Sequence, residues 1–261
     1  MRQKPNLMKN RVFLLGGHDL EMSVVKSLLE RNGETVIDKS LSWDTADIEN
    51  YWEELDRYSF CIIYGIELRN GKGLVLPSGY RPIDHHNAFN HQPSALEQVA
   101  AILGVDLSRF ESLVAANDKG YIPAMMEEGA TKEEIEEIRL KDRQAQGITE
   151  DDEEQAVEAI GGAYREGQVT VVFSKTSRFS AITDRLFPFD SLLIRSEYEL
   201  VYYGVGSEML GEAFQTMVDQ GTAYYGGGAQ GYFGIAARHL DREQLVRMEK
   251  EIVNFVNKYV V

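Results

Sequence analysis

The spacing of apolar residues changes several times along the first part of the chain. Residues 11–17 are almost wholly apolar and close on two glycines, which is typical of a buried strand that enters a tight turn. Residues 19–33 carry apolar side chains at helical spacing and end at Asn-Gly, which predicts a helix. Residues 34–38, 45–58 and 59–68 then predict a strand, a helix and a strand.

This alternation of strands and helices is typical of a parallel sheet with crossover helices. A further extended segment, residues 73–84, places Asp84 at its end, and helices are predicted over residues 94–103 and 107–116. We therefore predict an α/β fold in which residues 1–130 form a parallel-sheet domain with flanking helices.

The composition changes after residue 130. Residues 131–166 are charged and helical in pattern, and we interpret them as a solvated helical connector between two domains. Beyond them the pattern predicts a strand over residues 169–174, a short helix, a pair of strands, a glycine-rich segment and an amphipathic helix over residues 242–259. We predict a smaller α+β domain over residues 167–261.

The composition is that of a globular protein, with 43% apolar and 26% charged residues in 261. No apolar run reaches the length of a membrane span, and no signal-peptide core follows the basic N-terminus. We expect a cytoplasmic location and no membrane partner. A single cysteine, Cys61, rules out an internal disulfide and a cysteine-based zinc site.

The formal net charge of −15 limits the classes of molecule that the protein can bind. An acidic surface repels a phosphate backbone, so we do not expect tight binding of long nucleic acid. A small phosphorylated substrate remains compatible with it, because a local cation can overcome the field of the whole protein. The sequence is also compatible with a homodimer.

Carboxylates and imidazoles follow several of the predicted segments. Ligands of parallel sheets bind beyond the carboxyl ends of the strands. The side chains at those ends are His18, Asp19, Glu21, Glu67, Asp84, His85, His86 and Asp118. Oxygen and imidazole ligands without a thiolate suit Mn²⁺ or Mg²⁺, or a zinc or iron site of histidine and carboxylate. One or two such ions would activate water for displacement at phosphorus.

Several of these residues also have a purely structural interpretation. His18 and Asp19 could serve merely to cap a helix, Glu67 could be a solvated loop charge, and Asp118 could be a turn residue. His91 could be a loop residue or could contact a substrate phosphate. The triplet from Asp84 to His86 is harder to explain in this way, because three such residues rarely fall by chance at a strand end.

The glycine-rich segment 224–237 offers a second candidate for binding. Gly227 and Gly228 expose backbone N–H groups that could approach a phosphate closely, and a plain turn is the competing interpretation.

Three stretches carry a resemblance to a known family. "IDHHNAFNHQPSALEQVAAILG" resembles the defining third motif of the DHH phosphoesterases, and "VAANDKGYI" resembles their fourth motif. "YYGGGAQGYFGIAA" is similar to the glycine-rich segment of their small C-terminal DHHA1 domain. The resemblance runs from about Val12 to the end of the chain. It implies a DHH-like domain over residues 1–130 and a DHHA1-like substrate-binding domain over residues 167–261.

The resemblance also implies roles for residues. Asp84 and His85 would belong to the metal site, His86 would contact the metal or a substrate phosphate, and Asp118 would be a metal ligand. The family hydrolyses phosphoester or phosphoanhydride bonds, usually with Mn²⁺ or Mg²⁺.

This sequence departs from the family pattern at three places. The first motif normally has a histidine and, several residues later, Asp-x-Asp, whereas here His18 directly precedes Asp19, and Asp19 and Glu21 could replace the two aspartates. The second motif normally ends a strand with aspartate, whereas this strand ends in Glu67. In the glycine-rich segment, Ala229 and Gln230 stand where a histidine is usual.

Two functions follow from these observations. The first is a metal-dependent phosphoesterase that hydrolyses a short oligonucleotide, a dinucleotide or a pyrophosphate-like substrate. In that function Asp84, His85 and His86 would be catalytic, and His86, His91, Gly227 and Gly228 would bind the substrate. The alternative, motivated by the altered first and second motifs, is a non-catalytic nucleotide- or phosphate-binding regulatory protein on the same scaffold.

Overall fold

The structure, a computed structural model, describes residues 11–86, 89, 91–227, 231–236 and 240–260. The chain divides into two compact units, Met1–Gly147 and Ile148–Val261. This division falls within residues 131–166, the segment that the sequence predicts to be a connector. One helix of that segment, Lys132–Ala145, belongs to the first unit, and another, Glu150–Gly161, belongs to the second.

The first unit contains a four-stranded sheet and five helices. Its strands are β1 (Arg11–Leu15), β2 (Thr35–Ile37), β3 (Ile62–Ile66) and β4 (Tyr80–Ile83). Its helices are α1 (Leu20–Arg31), α2 (Trp52–Arg57), α3 (Ala95–Leu103), α4 (Arg109–Glu127) and α5 (Lys132–Ala145). Two 3-10 segments, Trp43–Thr45 and Ile48–Tyr51, precede α2.

The sheet of the first unit is wholly parallel, with the strand order β2-β1-β3-β4. Leu15 of β1 pairs with Ile66 of β3, and Ile66 pairs with Ile83 of β4. The carboxyl ends of these three strands therefore lie side by side, and the residues that follow them meet at one edge of the sheet. The predicted parallel sheet is confirmed.

The central strand β1 is apolar because it is covered on both faces. Val12, Phe13, Leu14 and Leu15 are all buried, as is expected of a parallel strand with helices on both sides. Helix α1 begins directly after this strand because Asp19 caps it, accepting a hydrogen bond from the backbone N–H of Met22 at 2.8 Å.

The second unit contains a six-stranded sheet. Its strands are β5 (Tyr164–Glu166), β6 (Val169–Phe173), β7 (Ser191–Arg195), β8 (Glu199–Gly204), β9 (Ala223–Gly226) and β10 (Tyr232–Ala236). Its helices are α6 (Glu150–Gly161), α7 (Ser180–Leu186), α8 (Ser207–Ala213), α9 (Gln215–Asp219) and α10 (Arg242–Tyr259). The strand order is β5-β6-β7-β8-β10-β9, and β6 pairs with β7 in parallel whereas the other pairs are antiparallel.

One buried cluster of the second unit lies between this sheet and α10, and another joins the sheet to α6 and α7. Ile252, Val253 and Val256 of α10 are fully buried in one cluster with Val171 and Leu193 of the sheet. This mixed sheet with helices confirms the predicted α+β character of the C-terminal half. Among the described residues, no helix has the length and apolar character needed to cross a membrane.

Candidate metal centre and the adjoining cavity

The carboxyl ends of β1 and β3 approach each other unusually closely in the first unit. A Cβ atom on Gly16 would lie 2.5 Å from the carbonyl oxygens of both Ile66 and Glu67, so only glycine fits at this position. Glu67 itself has a φ of +52°, a left-handed conformation that is uncommon for a residue with a side chain. Backbone strain of this kind clusters at functional sites.

Four side-chain atoms converge at this edge of the sheet. His85 Nε2 lies 2.6 Å from Asp118 Oδ2, 3.2 Å from Glu67 Oε1 and 3.8 Å from Glu21 Oε2. The side chains of Glu21, Glu67 and His85 are at most 5% exposed, and that of Asp118 is 15% exposed. Helix α1, the end of β3, the residues after β4 and helix α4 therefore each contribute one atom to a single cluster, which we call the acidic cluster.

None of these four atoms has a hydrogen-bond partner in the described part of the chain. His85 Nε2 nevertheless lies within ion-pair distance of both Asp118 Oδ2 and Glu67 Oε1. The other oxygen of Glu21 is satisfied, since it accepts a hydrogen bond from the backbone N–H of Leu96 at 3.0 Å. Buried polar atoms without partners are rare in folded proteins, and here they face a common point. Such a set fits a cation bound among them.

The electrostatics of the acidic cluster agree with this fit. Burial, followed by the negative charges of Asp118 and Glu67, raises the pKa of Glu21 well above its ordinary value. Burial and the charge of Asp118 raise the pKa of Asp19 to about 8. Burial by itself would lower the pKa of His85, but the carboxylates of Asp118 and Glu67 raise it to about 10. A divalent cation would offset the repulsion among these buried carboxylates and would displace the proton of His85, because a metal-bound imidazole is neutral.

Asp19 combines both of the roles that the sequence left open. Its side chain caps α1, as the structural interpretation expects. It is also buried, and its raised pKa reflects the charges of Asp118 and Glu67, so it lies within the field of the acidic cluster.

His86 and Asp84 lie at the solvent side of the acidic cluster. The side chain of His86 is 41% exposed, and its Nδ1 lies 3.1 Å from Asp84 Oδ1 and 4.0 Å from Glu67 Oε1. Asp84 Oδ1 also accepts a hydrogen bond from the backbone N–H of His86 at 2.8 Å. Glu67, His85, His86 and Asp118 each offer one ligand atom, and these atoms all lie within 4.8 Å of one another. These four residues could hold one ion, with Asp84 beside them.

His18 and His91, which the sequence also predicted for the site, contribute no atom to the acidic cluster. His18 is exposed. Its nearest described effect is on Asp38: burial would raise the pKa of Asp38, but Lys26 and, more weakly, His18 lower it. His91 is exposed as well, and its Nε2 lies 3.0 Å from the side-chain amide of Gln92. Gly227 belongs to the second unit and has a φ of +80°. Gly228 lies outside the described residues.

Helix α4 has a break just after Asp118 that sequence reasoning did not anticipate. The helix continues to Glu127, but Gly120 and Tyr121 have non-helical dihedral angles, and Tyr121 has a φ of +60° and a ψ of −149°. Arg139 of α5 is buried beside this break. Its Nη1 donates to Asn117 Oδ1 at 2.9 Å, and its guanidinium lies 4.5 Å from the centre of the Tyr121 ring.

The sequence analysis also did not identify the cavity next to the acidic cluster. This cavity has a volume of about 370 Å³. It is lined by Trp43, Ala46, Glu67, Arg69, Asp84 and His86. A tryptophan in the polar segment after the second strand was the signal that could have pointed to it.

Comparison with known proteins assigns the fold but not the function. No protein-family model matches the chain, and no curated protein matches it. The chain is similar to a solved structure described as the DHH domain of a member of a family of ribosomal proteins. The TM-score is 0.53 at 11% sequence identity, over 94% of this chain and 87% of that chain. The chain has a DHH-like fold.

Two further solved structures resemble the chain more weakly. One is PggH from Vibrio cholerae, a pGpG-specific phosphodiesterase, with a TM-score of 0.45 at 12% identity over 95% of this chain and 98% of that chain. The other is an uncharacterized protein from Helicobacter pylori G27, with a TM-score of 0.30 at 11% identity over 94% of this chain and 99% of that chain.

Proposed function

We propose that this chain is a metal-dependent phosphoesterase that hydrolyses a small phosphorylated substrate at the acidic cluster. The observation that carries the proposal is the convergence of four buried atoms, from Glu21, Glu67, His85 and Asp118, at the carboxyl edge of a parallel sheet, none with a hydrogen-bond partner among the described residues. The DHH-like fold supports it, because the Asp-His-His triplet follows β4 in this fold.

We propose that the acidic cluster holds one or two divalent cations, Mn²⁺ in preference to Mg²⁺. Imidazole ligands beside carboxylates suit Mn²⁺, whereas Mg²⁺ prefers oxygen ligands alone. A bound divalent cation would activate water and neutralise negative charge on phosphate oxygens. Glu21, Glu67, His85 and Asp118 would be its ligands, and the nearby charge of Asp19 would strengthen its binding.

His86 is suited to contact the substrate rather than to be buried with the ion. Its hydrogen bond with Asp84 at Nδ1 orients the ring, so that Nε2 is the nitrogen left for a ligand. In the neutral ring Nδ1–H donates to Asp84, so Nε2 carries the lone pair and can accept a hydrogen bond, whereas the protonated ring can donate from Nε2 to a phosphate oxygen. Asp84 would then act by fixing the orientation and charge of His86.

The cavity and the charge of the protein both favour a small substrate. A volume of about 370 Å³ lies at the lower end of the range for small-molecule pockets. The net charge of −15 would repel a long polyphosphate backbone.

The test is to measure metal binding and turnover together. We expect the purified protein to bind Mn²⁺ and to hydrolyse bis-p-nitrophenyl phosphate only when Mn²⁺ is present, and we expect His85→Ala to abolish both properties. EDTA should remove the activity, and added Mn²⁺ should restore it. If His85→Ala still binds Mn²⁺ and still hydrolyses the substrate, the proposal is contradicted. Nucleotide binding without metal binding or turnover would favour the non-catalytic regulatory protein.

A further inference from the structure

The cavity beside the acidic cluster brings together an aromatic side chain and a cationic one. Trp43 and Arg69 both line it, as do Glu67, which belongs to the acidic cluster, and His86, which lies at the solvent side of that cluster. A ligand in this cavity can therefore contact Trp43 and Arg69 and, at the same time, the proposed metal ligand Glu67.

Trp43 is held in place by its contact with a glycine. A Cβ atom on Gly17 would lie 2.6 to 2.9 Å from Cδ2, Cε3 and Cε2 of the indole, so the ring packs directly on the backbone at the end of β1. The ring also packs edge to face with His86, with 5.5 Å between the ring centres. Even with these contacts, Trp43 remains 41% exposed. Such a ring is fixed in position and still offers surface for stacking.

Arg69 is fixed by hydrogen bonds to two backbone carbonyl oxygens. Its Nη2 donates to the carbonyl oxygen of Asp44 at 2.5 Å, and its Nε donates to that of Ala46 at 3.3 Å. Within the residues that the structure describes, no carboxylate pairs with Arg69, although the chain carries a net charge of −15. A guanidinium held in this way is ready to bind an anionic group with its remaining N–H donors.

We propose that this cavity is a subsite for a flat aromatic ring carried by the phosphorylated ligand. Trp43 stacks against the ring, and Arg69 binds an anionic group of the same ligand. The ligand class is thus a phosphate attached to an aromatic group, with a nucleoside monophosphate as its simplest test case. Phosphates without a ring, such as pyrophosphate, would leave the surface of Trp43 uncovered and would bind more weakly.

The claim that the phosphate in the acidic cluster is hydrolysed rests on the proposed function, whereas the binding of the ring does not. A binding measurement on the protein without added metal therefore tests the subsite separately. The chain has two tryptophans, Trp43 and Trp52. In a Trp52→Phe background, the fluorescence of Trp43 alone can be followed.

We expect adenosine 5′-monophosphate to quench this fluorescence in a saturable way, and ribose 5-phosphate to leave it nearly unchanged. In Trp43→Ala, calorimetry should show a Kd for adenosine 5′-monophosphate that is about tenfold higher or more. Stacking of one base on an aromatic side chain contributes that much to binding. Trp43→Phe should retain most of the affinity. Arg69→Gln should weaken binding of adenosine 5′-monophosphate and of ribose 5-phosphate alike.

The matched control is Trp52→Ala, since Trp52 is 66% exposed and does not line the cavity. An unchanged Kd in Trp43→Ala, or equal affinity for adenosine 5′-monophosphate and ribose 5-phosphate, would overturn the subsite. If the subsite is overturned but the protein shows Mn²⁺-dependent turnover, the proposed function stands without the subsite. Quenching by adenosine 5′-monophosphate without any turnover would support the subsite and contradict the proposed hydrolysis.

Discussion

The guanidinium of Arg139 lies 4.5 Å from the centre of the Tyr121 ring, where helix α4 breaks just beyond Asp118. The same guanidinium donates to Asn117, the residue before Asp118, and to Asp142 at 2.7 Å. Arg139 therefore contacts the chain on both sides of Asp118 and limits where that carboxylate can lie.

This relationship predicts an effect of Arg139 on metal binding. Arg139→Met should weaken Mn²⁺ binding about tenfold, as loss of groups that position metal ligands does, and should also lower the Tm. Arg139→Lys should recover part of the affinity. Calorimetric titration with Mn²⁺, at a temperature where every variant is folded, measures the effect.

Lys141→Met on the same helix is the control for Arg139, because the side chain of Lys141 is 44% exposed and pairs only with Glu137 and the nearby Phe110 ring. If Arg139→Met binds Mn²⁺ as tightly as the wild-type protein and loses only stability, Arg139 holds the helices together and does not position Asp118.

The two neighbours Asp84 and His85 should differ in their effects. His85→Ala removes the imidazole at the centre of the acidic cluster and should abolish Mn²⁺-dependent turnover. Asp84→Ala should abolish turnover as well, but with a smaller loss of Mn²⁺ affinity, because Asp84 contacts His86 and lies beside the cluster. Circular dichroism should show a folded protein in both cases. Turnover at the wild-type rate in either variant would remove that residue from the mechanism.

Glu67→Gln should lower turnover less than His85→Ala does. The glutamine keeps an oxygen near His85 but loses the charge that a cation requires. A Mn²⁺ titration of the activity measures this, and a variant with an unchanged dependence on Mn²⁺ would show that Glu67 is not a ligand.

Glu21→Gln should have opposite effects on stability and on metal binding. Glu21 is buried near the charges of Asp118 and Glu67, and both effects raise its pKa, so removal of its charge should stabilise the protein in EDTA. The amide oxygen can keep the hydrogen bond with Leu96. Urea unfolding in EDTA and Mn²⁺ titration measure the two effects. A lower stability in EDTA would mean that Glu21 does not experience net repulsion.

The stability of the first unit should depend on pH through Glu111 at the start of α4. Its carboxylate accepts from the backbone N–H and the hydroxyl of Ser108, both at 2.8 Å, and lies 2.6 Å from Arg31 Nη2. Burial by itself would raise the pKa of Glu111, but these contacts lower it below the ordinary value. The carboxylate therefore stabilises the fold above the unfolded pKa of about 4.3, and this contribution is lost as the pH falls through the lowered folded value.

Glu111→Gln should accordingly cost about 1 kcal/mol at pH 7, and the difference from the wild-type protein should shrink as the pH falls below about 4. Urea unfolding at a series of pH values measures it. Glu97→Gln is the matched control, because Glu97 occupies the same position of a capping box in α3 but is exposed and forms no ion pair in the described part of the chain. An equal difference at every pH would rule out the charge of Glu111 as the cause.

Gly16→Ala should disturb the edge of the sheet where the acidic cluster forms. The added methyl group would lie 2.5 Å from two backbone carbonyl oxygens, which cannot move without shifting β3. We expect a loss of about 1–3 kcal/mol in stability together with weaker Mn²⁺ binding. Gly161→Ala is the control, since a methyl group there meets no atom within 4 Å. Wild-type metal affinity in Gly16→Ala would show that the close approach does not matter for the site.

The sequence by itself determined most of the strands and helices and the edge of the sheet at which the candidate site lies. The predicted helix over residues 107–116 instead runs from Arg109 to Glu127, and the extended segment 73–84 is a strand only over Tyr80–Ile83. The apolar run before Gly16 became β1, and the amphipathic segment 242–259 became α10 with the predicted bounds. These predictions succeeded because burial on one face or on both faces imposes a period on the sequence, and a period can be read locally. The Asp-His-His triplet was located correctly for the same reason, since it directly follows a strand.

Only the tertiary structure decided where the side chains beyond the strand ends point. His85 turns into the acidic cluster, its neighbour His86 stays half-exposed, and His18 faces solvent although Asp19 beside it is buried. Likewise, Trp43 and Arg69 meet in one cavity although they lie on separate loops. Residues in loops and at helix starts follow no repeating pattern, so their directions depend on contacts with distant segments, such as the packing of Trp43 on Gly17.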